Sequence, residues 1–359
     1  MRHSPRAMSP LTAAFTAVLD RFLHRPIEGL DLEQIRAGRG RTYPEHPPFT
    51  WVTGPVDRSV GITYGTAPAR DGYDVPLRIY RPRAVRDADT DVPVLLFFHG
   101  GGWVQGNVVM YDPLCVHLAA QVRAVVVSVD YRLAPEHPAP TPAHDCIDAT
   151  AWVAANGKVL RADTSRLAVC GDSAGGNLAA VVALAARDAG GPLLRHQALI
   201  YPGLDQTLSS PSIEENAEAP VLTRANILAF QRHYLPEGAD RRDPMLSPLF
   251  GDLRGLPPAL VQTADLDPLR DDGLRFAAAL RKAGVAARAT NYVRVPHGFA
   301  SFPGVVPVGA QHRAELVQEL RTHLYAAGGG GAVTGASNGA ATRTGGGAHT
   351  GADGSPLSG

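Results

Sequence analysis

Lysine is almost missing from this chain. Lys158 and Lys282 are its only two occurrences, so arginine supplies nearly all of the 34 basic residues. These are matched by 34 acidic residues, for a formal net charge of zero. No basic stripe points to nucleic acid, and no block of one sign points to a charged interaction tail. With the abundance of Ala, Gly and Pro, the preference for Arg reads as coding bias rather than as function. Cysteine is nearly as scarce. Cys115, Cys146 and Cys170 are too few, and odd in number, for a disulfide framework. Cys170 ends an apolar run and reads as a small buried hydrophobe, and none of the three has the setting of a nucleophile. Long apolar runs are absent too. None approaches the roughly 20 residues that a membrane helix needs, so stable membrane insertion is not expected.

Residues 11–19, behind Arg2 and Arg6, have the composition of a signal-peptide core. The run is short, meets Asp20 and Arg21 at once, and lacks a small-residue cleavage site. Leu11, Phe15, Val18, Leu19, Phe22 and Leu23 recur at helical spacing, which predicts an amphipathic helix instead. A cytoplasmic location is the expectation.

What the chain does have is length and apolar content. Its 359 residues, 45% hydrophobic, suffice for a large core. Residues 1–50 predict helices and a Pro-rich loop at 43–48, forming a helical cap segment. Two β-prone runs, 61–64 and 75–80, flank Asp71-Gly72, which predicts a hairpin. From Val92 the pattern changes. Short apolar runs at 94–98, 124–129, 167–170, 198–201, 259–262 and 289–293 alternate with helical stretches at 113–121, 143–155, 176–186, 273–283 and 310–325. That alternation predicts an α/β fold with a mostly parallel sheet flanked by helices on both faces. Ligands then sit beyond the carboxyl ends of the strands. Residues 205–245 break the pattern and predict a second cap or lid insertion, with one helix near 226–234. The catalytic domain is expected over 51–327. Residues 328–359 are Gly-rich and are expected to be a disordered tail.

Two motifs carry chemistry. Gly171-Asp172-Ser173-Ala174-Gly175 is a G-x-S-x-G turn placed between an apolar run and a helical stretch. Such a turn exposes the seryl Oγ at the top of a sheet. His99-Gly100-Gly101-Gly102-Trp103 follows another apolar run and is the HGGG type of loop, whose amides hold an oxyanion. Gly101, Gly102 and Ala174 are the candidate amide donors. Together the motifs point to acyl transfer to water through Ser173. The serine needs a base and an orienting acid, expected in the chain order Ser, Asp or Glu, His. His297, in the loop 295–299, satisfies that order at the right sheet edge. Asp265 and Asp267 are both open as the acid by position alone. His196 and His233 break the order, and His312 and His323 sit in a helical pattern that suggests packing. His99 is expected to anchor its loop. Glu136 and His137 suggest a structural turn with internal ion pairs rather than a metal site, since no third ligand is spaced for one. Trp103 and Phe299 flank these elements, with pocket lining and core packing both open for them.

These segments resemble the bacterial hormone-sensitive lipase family of α/β-hydrolase esterases. The resemblance rests on 99–103, 130–138, 171–176, Ser247-Pro248-Leu249, Leu256-Pro257-Pro258, Asp267-Pro268-Leu269-Arg270-Asp271 and His297-Gly298-Phe299. It spans about residues 60–325 in the family's order. It selects Asp267 over Asp265, implies a catalytic triad of Ser173, Asp267 and His297, and makes the N-terminal helices a cap over the acyl pocket. No cofactor or metal is implied. A small-molecule ester is the expected partner, and the family's habit of pairing through sheet edges leaves a homodimer open. The function implied is a serine carboxylic-ester hydrolase for short-to-medium acyl chains. A deacetylase acting on an ester or amide of a specialised metabolite would use the same residues. A non-catalytic binding protein on this fold usually shows a lost base or acid, which is not the case here.

Overall fold

The computed structural model describes residues 8–23, 27–83 and 91–326. The expected tail, 328–359, lies outside the described residues. Within them, eight strands form one sheet: β1 (Val60–Pro68), β2 (Asp74–Pro82), β3 (Pro93–Phe98), β4 (Val125–Val129), β5 (Asp163–Asp172), β6 (Leu194–Ile200), β7 (Ala259–Leu266) and β8 (Ala287–Pro296). Their spatial order is β1-β2-β4-β3-β5-β6-β7-β8. The hairpin forms as expected, with β1 antiparallel to β2 and Pro68 opposite Asp74 across the Asp71-Gly72 turn. β2 is antiparallel to β4, and every pairing from β4 to β8 is parallel.

The parallel strands are continuous apolar runs because both sheet faces are covered. β3 shows how one run serves two cores. Val94, Leu96 and Phe98 enter the cluster under helices Thr141–Ala155, Ala174–Asp188 and Arg270–Lys282. Leu95 and Phe97 enter the opposite cluster, under Asp112–Leu118 and Gly309–Tyr325. Successive side chains of a strand point to opposite faces, so neither set can be polar. Leu316, Leu320 and Leu324 repeat every four residues along the last helix and are fully buried. Cys115, Cys146 and Cys170 are buried free thiols, and burial of Cys170 is what its apolar run predicts.

β5 begins four residues earlier than its apolar run predicts. Asp163 to Arg166 are partly exposed and pair past a register shift near Pro93 and Val94, so they carry no hydrophobic signal. The short helices Gly157–Leu160 and Ser212–Glu215 were also invisible to periodicity, being too brief to show one. Among the described residues no helix is long and apolar enough to cross a membrane.

The turn from β5 into the helix Ala174–Asp188 is the point where packing is tightest. A Cβ on Gly175 would fall on the Phe98 carbonyl oxygen, and one on Gly171 would fall on the Gly175 carbonyl. The helix start therefore lies directly on the end of β3. Gly175→Ala is expected to cost about 3 kcal/mol or more, because the obstacle is backbone and cannot rotate away. Urea unfolding checks this, and an unchanged midpoint would show that the helix can shift off β3 without loss.

Candidate active site

β5 ends at Asp172, and Ser173 adopts φ +54° and ψ −117°, a strained conformation for a residue with a side chain. The strain arises because the chain must reverse from strand to helix within one residue. Ser173 N–H donates to the Ile200 carbonyl at 2.8 Å, fixing the turn to the end of β6. Three strands along from β5, β8 ends at Pro296 and delivers His297. The His297 Nε2 lies 2.9 Å from Ser173 Oγ, and its Nδ1 lies 2.7 Å from Asp267 Oδ2. Asp267 is fully buried at the end of β7, and its Oδ1 accepts the Leu269 amide at 2.8 Å. Both carboxylate oxygens are thus assigned, one to orienting the ring and one to holding the acid itself.

Asp265, the other acid left open by position, faces elsewhere. Its side chain is 34% exposed, 4.0 Å from Arg270, with an oxygen accepting weakly from the Arg294 amide at 3.4 Å. Strand alternation alone would put residues 265 and 267 on one face; the register shift between Ala264 and Leu266 and the end of β7 at Leu266 separate them.

The glycine loop follows β3. Gly101 has φ +124° and Gly102 φ +62°, values that favour residues without a Cβ. Among the described residues, no acceptor takes the amides of Gly101, Gly102 or Ala174. The neighbouring Gly100 amide is used differently, donating to Asp172 Oδ1 at 2.8 Å and to the Tyr111 hydroxyl at 3.0 Å. Tyr111 in turn donates to Asp172 Oδ2 at 3.0 Å. Asp172 therefore ties the glycine loop to the serine turn. Burial pushes its carboxyl up to about 6, against the lowering effect of these hydrogen bonds and of His297. Sequence reading passed over Asp172, although it stands inside the motif, and over Tyr111, which no pattern marks.

His99 anchors the loop as expected. It is fully buried, its Nδ1 lies 2.8 Å from the Gly100 carbonyl, and its ring stacks on Tyr131 at 4.4 Å. Burial lowers its pKa, outweighing the raising effect of the Gly100 carbonyl. The ion pairs expected within the turn at 130–138 instead reach outward. Glu136 binds Arg36 at 2.6 Å and Arg39 at 2.7 Å, both from the N-terminal segment. Partial burial raises the Glu136 pKa, but the two guanidinium groups outweigh it and hold it at about 2. Arg132 pairs with Asp145 and Asp71. The turn is a docking point for the N-terminal helix Leu32–Arg39, and the sequence contained no sign of the distant arginines.

Trp103 is 6% exposed and stacks on Tyr234, ring centroids 4.3 Å apart and planes within 5°. Phe299 has no exposed surface at all. It packs edge-on against Tyr201, Tyr292 and His312, so core packing describes it and pocket lining does not. Two segments touch the loops that flank the site. In the helix Arg224–Tyr234 of the insertion, Phe230 lies so close to Gly102 that a Cβ there would strike its ring, and Val221 is 3.6 Å from a Cβ position on Gly298. From the N-terminal side, Arg39 donates to the carbonyls of Val104 and Ala134 at 2.9 and 2.6 Å. Thr12 donates to the Val305 carbonyl at 2.7 Å, and Phe15 packs on Phe302.

A hydroxyl, an imidazole and a buried carboxylate in line at the carboxyl ends of parallel strands mark the class of α/β-fold hydrolases. The chain belongs to the α/β-hydrolase fold family, whose profile matches residues 95–301, and within it to the hormone-sensitive-lipase-like esterases. It is 43% identical over 305 residues to Carboxylesterase NlhH of Mycobacterium tuberculosis, covering 83% of this chain and 91% of that one. It is 34% identical over 303 residues to the ethyl acetate hydrolase of Pseudomonas putida, covering 83% and 92%. Among solved structures, the hyperthermophilic esterase of Pyrobaculum calidifontis superposes with a TM-score of 0.76 at 37% identity, covering 88% of this chain and 98% of that one. The chain is a carboxylic ester hydrolase.

Proposed function

We propose that this enzyme cleaves short-to-medium acyl esters of small alcohols through a covalent acyl intermediate on Ser173. The observation that carries the proposal is the unbroken chain from Asp267 through His297 to Ser173, with contacts of 2.7 and 2.9 Å. His297 Nε2 takes the Ser173 proton as Oγ bonds to the ester carbonyl carbon. The carbonyl π electrons move onto oxygen, which the amides of Gly101, Gly102 and Ala174 hold. Asp267 stabilises the imidazolium. Collapse breaks the bond to the alkoxide, which leaves with the proton from Nε2. Water then gives a proton to His297 and attacks the acyl carbon, and the bond to Oγ breaks with return of a proton to Ser173. The amides are in place before charge develops, which is why they lower the barrier. Losing one such donor costs about 10²–10³ in rate.

The size limit follows from the cover. The described residues of the N-terminal segment, 8–23 and 27–50, and the insertion around Phe230 and Val221 are taken as the roof of the site, and the ring of Phe230 against Gly102 narrows the space above the amides. The relative named for ethyl acetate supports a small acyl group. p-Nitrophenyl esters from acetate to palmitate test the reading. The expected rate peaks at short chains and falls to near zero at palmitate. A maximum at the longest chains would overturn the roofed pocket. Acetamides run beside the esters separate this function from a deacetylase of amides, which would turn them over at comparable rates.

A further inference from the structure

The parallel sheet brings two histidines together that the catalytic chemistry does not use. His196 lies near the start of β6, and His323 lies in the last turn of the helix Gly309–Tyr325, which packs on that face of the sheet. Glu319 is one turn before His323, on the same helix face. One ligand atom from each of these three side chains lies within 4.8 Å of the others. His196 is fully buried, and neither of its ring nitrogens has a hydrogen-bond partner. A buried imidazole with both nitrogens idle is costly, and in native proteins it signals a missing water or ion.

We propose that His196, Glu319 and His323 form a divalent transition-metal site, suited to Zn²⁺, at the end of the sheet opposite the ester-cleaving residues. Two imidazoles and one carboxylate, with water as the fourth ligand, are a zinc donor set. Glu319 is arranged for this role. Its Oε1 accepts from Arg288 at 3.0 Å, while its Oε2 points to His323 Nε2 at 3.7 Å. The first contact orients the carboxylate, as outer partners of metal ligands do. The helix C-terminus adds a favourable partial negative charge. Ligand atoms around a tetrahedral zinc are about 3.4 Å apart, so the cluster must contract. The two rings now stack 4.3 Å apart within 11° of parallel. A cation in the plane of both requires one ring to turn about its Cβ–Cγ bond. His323, with a side chain 28% exposed, has room to do so.

The site stabilises rather than catalyses. Ile200, whose carbonyl holds the Ser173 amide, is four residues further along β6, roughly 13 Å away at the strand rise. The sequence carried no expectation of a metal, because its ligands come from two elements and His196 lies more than a hundred positions before the other two.

Calorimetric titration of the chelator-treated 359-residue chain with Zn²⁺ tests the proposal. One saturable equivalent is expected, with a rise in Tm of roughly 5 °C. His323→Ala, Glu319→Gln and His196→Asn should each weaken binding by more than about tenfold, the loss that even an outer partner causes. They should also abolish the Tm rise while leaving metal-free turnover of p-nitrophenyl acetate unchanged. His196→Asn disturbs a buried position, but His323→Ala does not, so the latter decides if the former fails to fold. No saturable binding, or equal binding by wild type and His323→Ala, would overturn the site and leave a stacked pair of neutral histidines.

Discussion

Ser173→Ala is expected to lower kcat for p-nitrophenyl acetate by about 10⁶, and His297→Ala by a similar factor, with the double variant hardly slower than either. The three outcomes are linked by one geometry. With Nε2 at 2.9 Å from Oγ, the base and nucleophile act as a unit, so removing one leaves the other nothing to do. What remains is the contribution of the amides and of binding, worth about 10³–10⁴ over water. Neither substitution should move the unfolding transition far. The Ser173 turn is held by its amide to Ile200 and by the glycines, and among the described residues the serine hydroxyl bonds to His297 Nε2 alone, a contact that orients the site and not the turn. Initial rates over a substrate series, with thermal unfolding alongside, check both halves. Near-normal turnover in either variant would end the assignment of these two residues.

Asp267→Asn is expected to cost about 10⁴ in kcat, while Asp265→Asn leaves it within a few-fold. The reason is the proton on the ring. Asp267 Oδ2 accepts from Nδ1 at 2.7 Å, which leaves Nε2 bare to take the serine proton. An asparagine there retains its place through the Leu269 amide. Turned to offer its NH₂ group, it would favour the tautomer with the proton on Nε2, and the ring could no longer act as a base. Asp265 touches neither ring nitrogen. Parallel kinetics on the two variants separate the candidates directly. A large loss on Asp265→Asn with little on Asp267→Asn would reverse the assignment.

The acid shows where reading a sequence stops. Asp265 and Asp267 are two residues apart after the same apolar run. Position could not choose between them, and only the family resemblance pointed to Asp267. In the structure Asp267 lies at the turn, with the Leu269 amide behind it and His297 Nδ1 at 2.7 Å, while Asp265 lies at the exposed side, and this geometry supports the role proposed for Asp267. Ser173 and His297 were legible because each sits in a local pattern, a glycine-lined turn after an apolar run and a loop at the same sheet edge. Asp172 was written inside the first motif yet carried no visible role. That role depends on Gly100 and Tyr111, which reach it only because β3 and β5 are neighbours.

By itself the sequence determined the elements and their class. Apolar runs of four to six residues alternating with helical stretches are local signals, since strand and helix periods depend only on near neighbours. Turn chemistry at Asp71-Gly72 and at Gly171 to Gly175 is local as well, because it rests on backbone sterics. Tertiary structure decided everything that depends on which elements meet. It sent Phe299 into the core beneath His297 and turned Glu136 toward Arg36 and Arg39. It laid Phe230 against Gly102 and brought His196 beside His323. These partners lie tens to more than a hundred residues apart. Their contacts are set by strand order and by burial of the whole sheet, and no short stretch of chain encodes either.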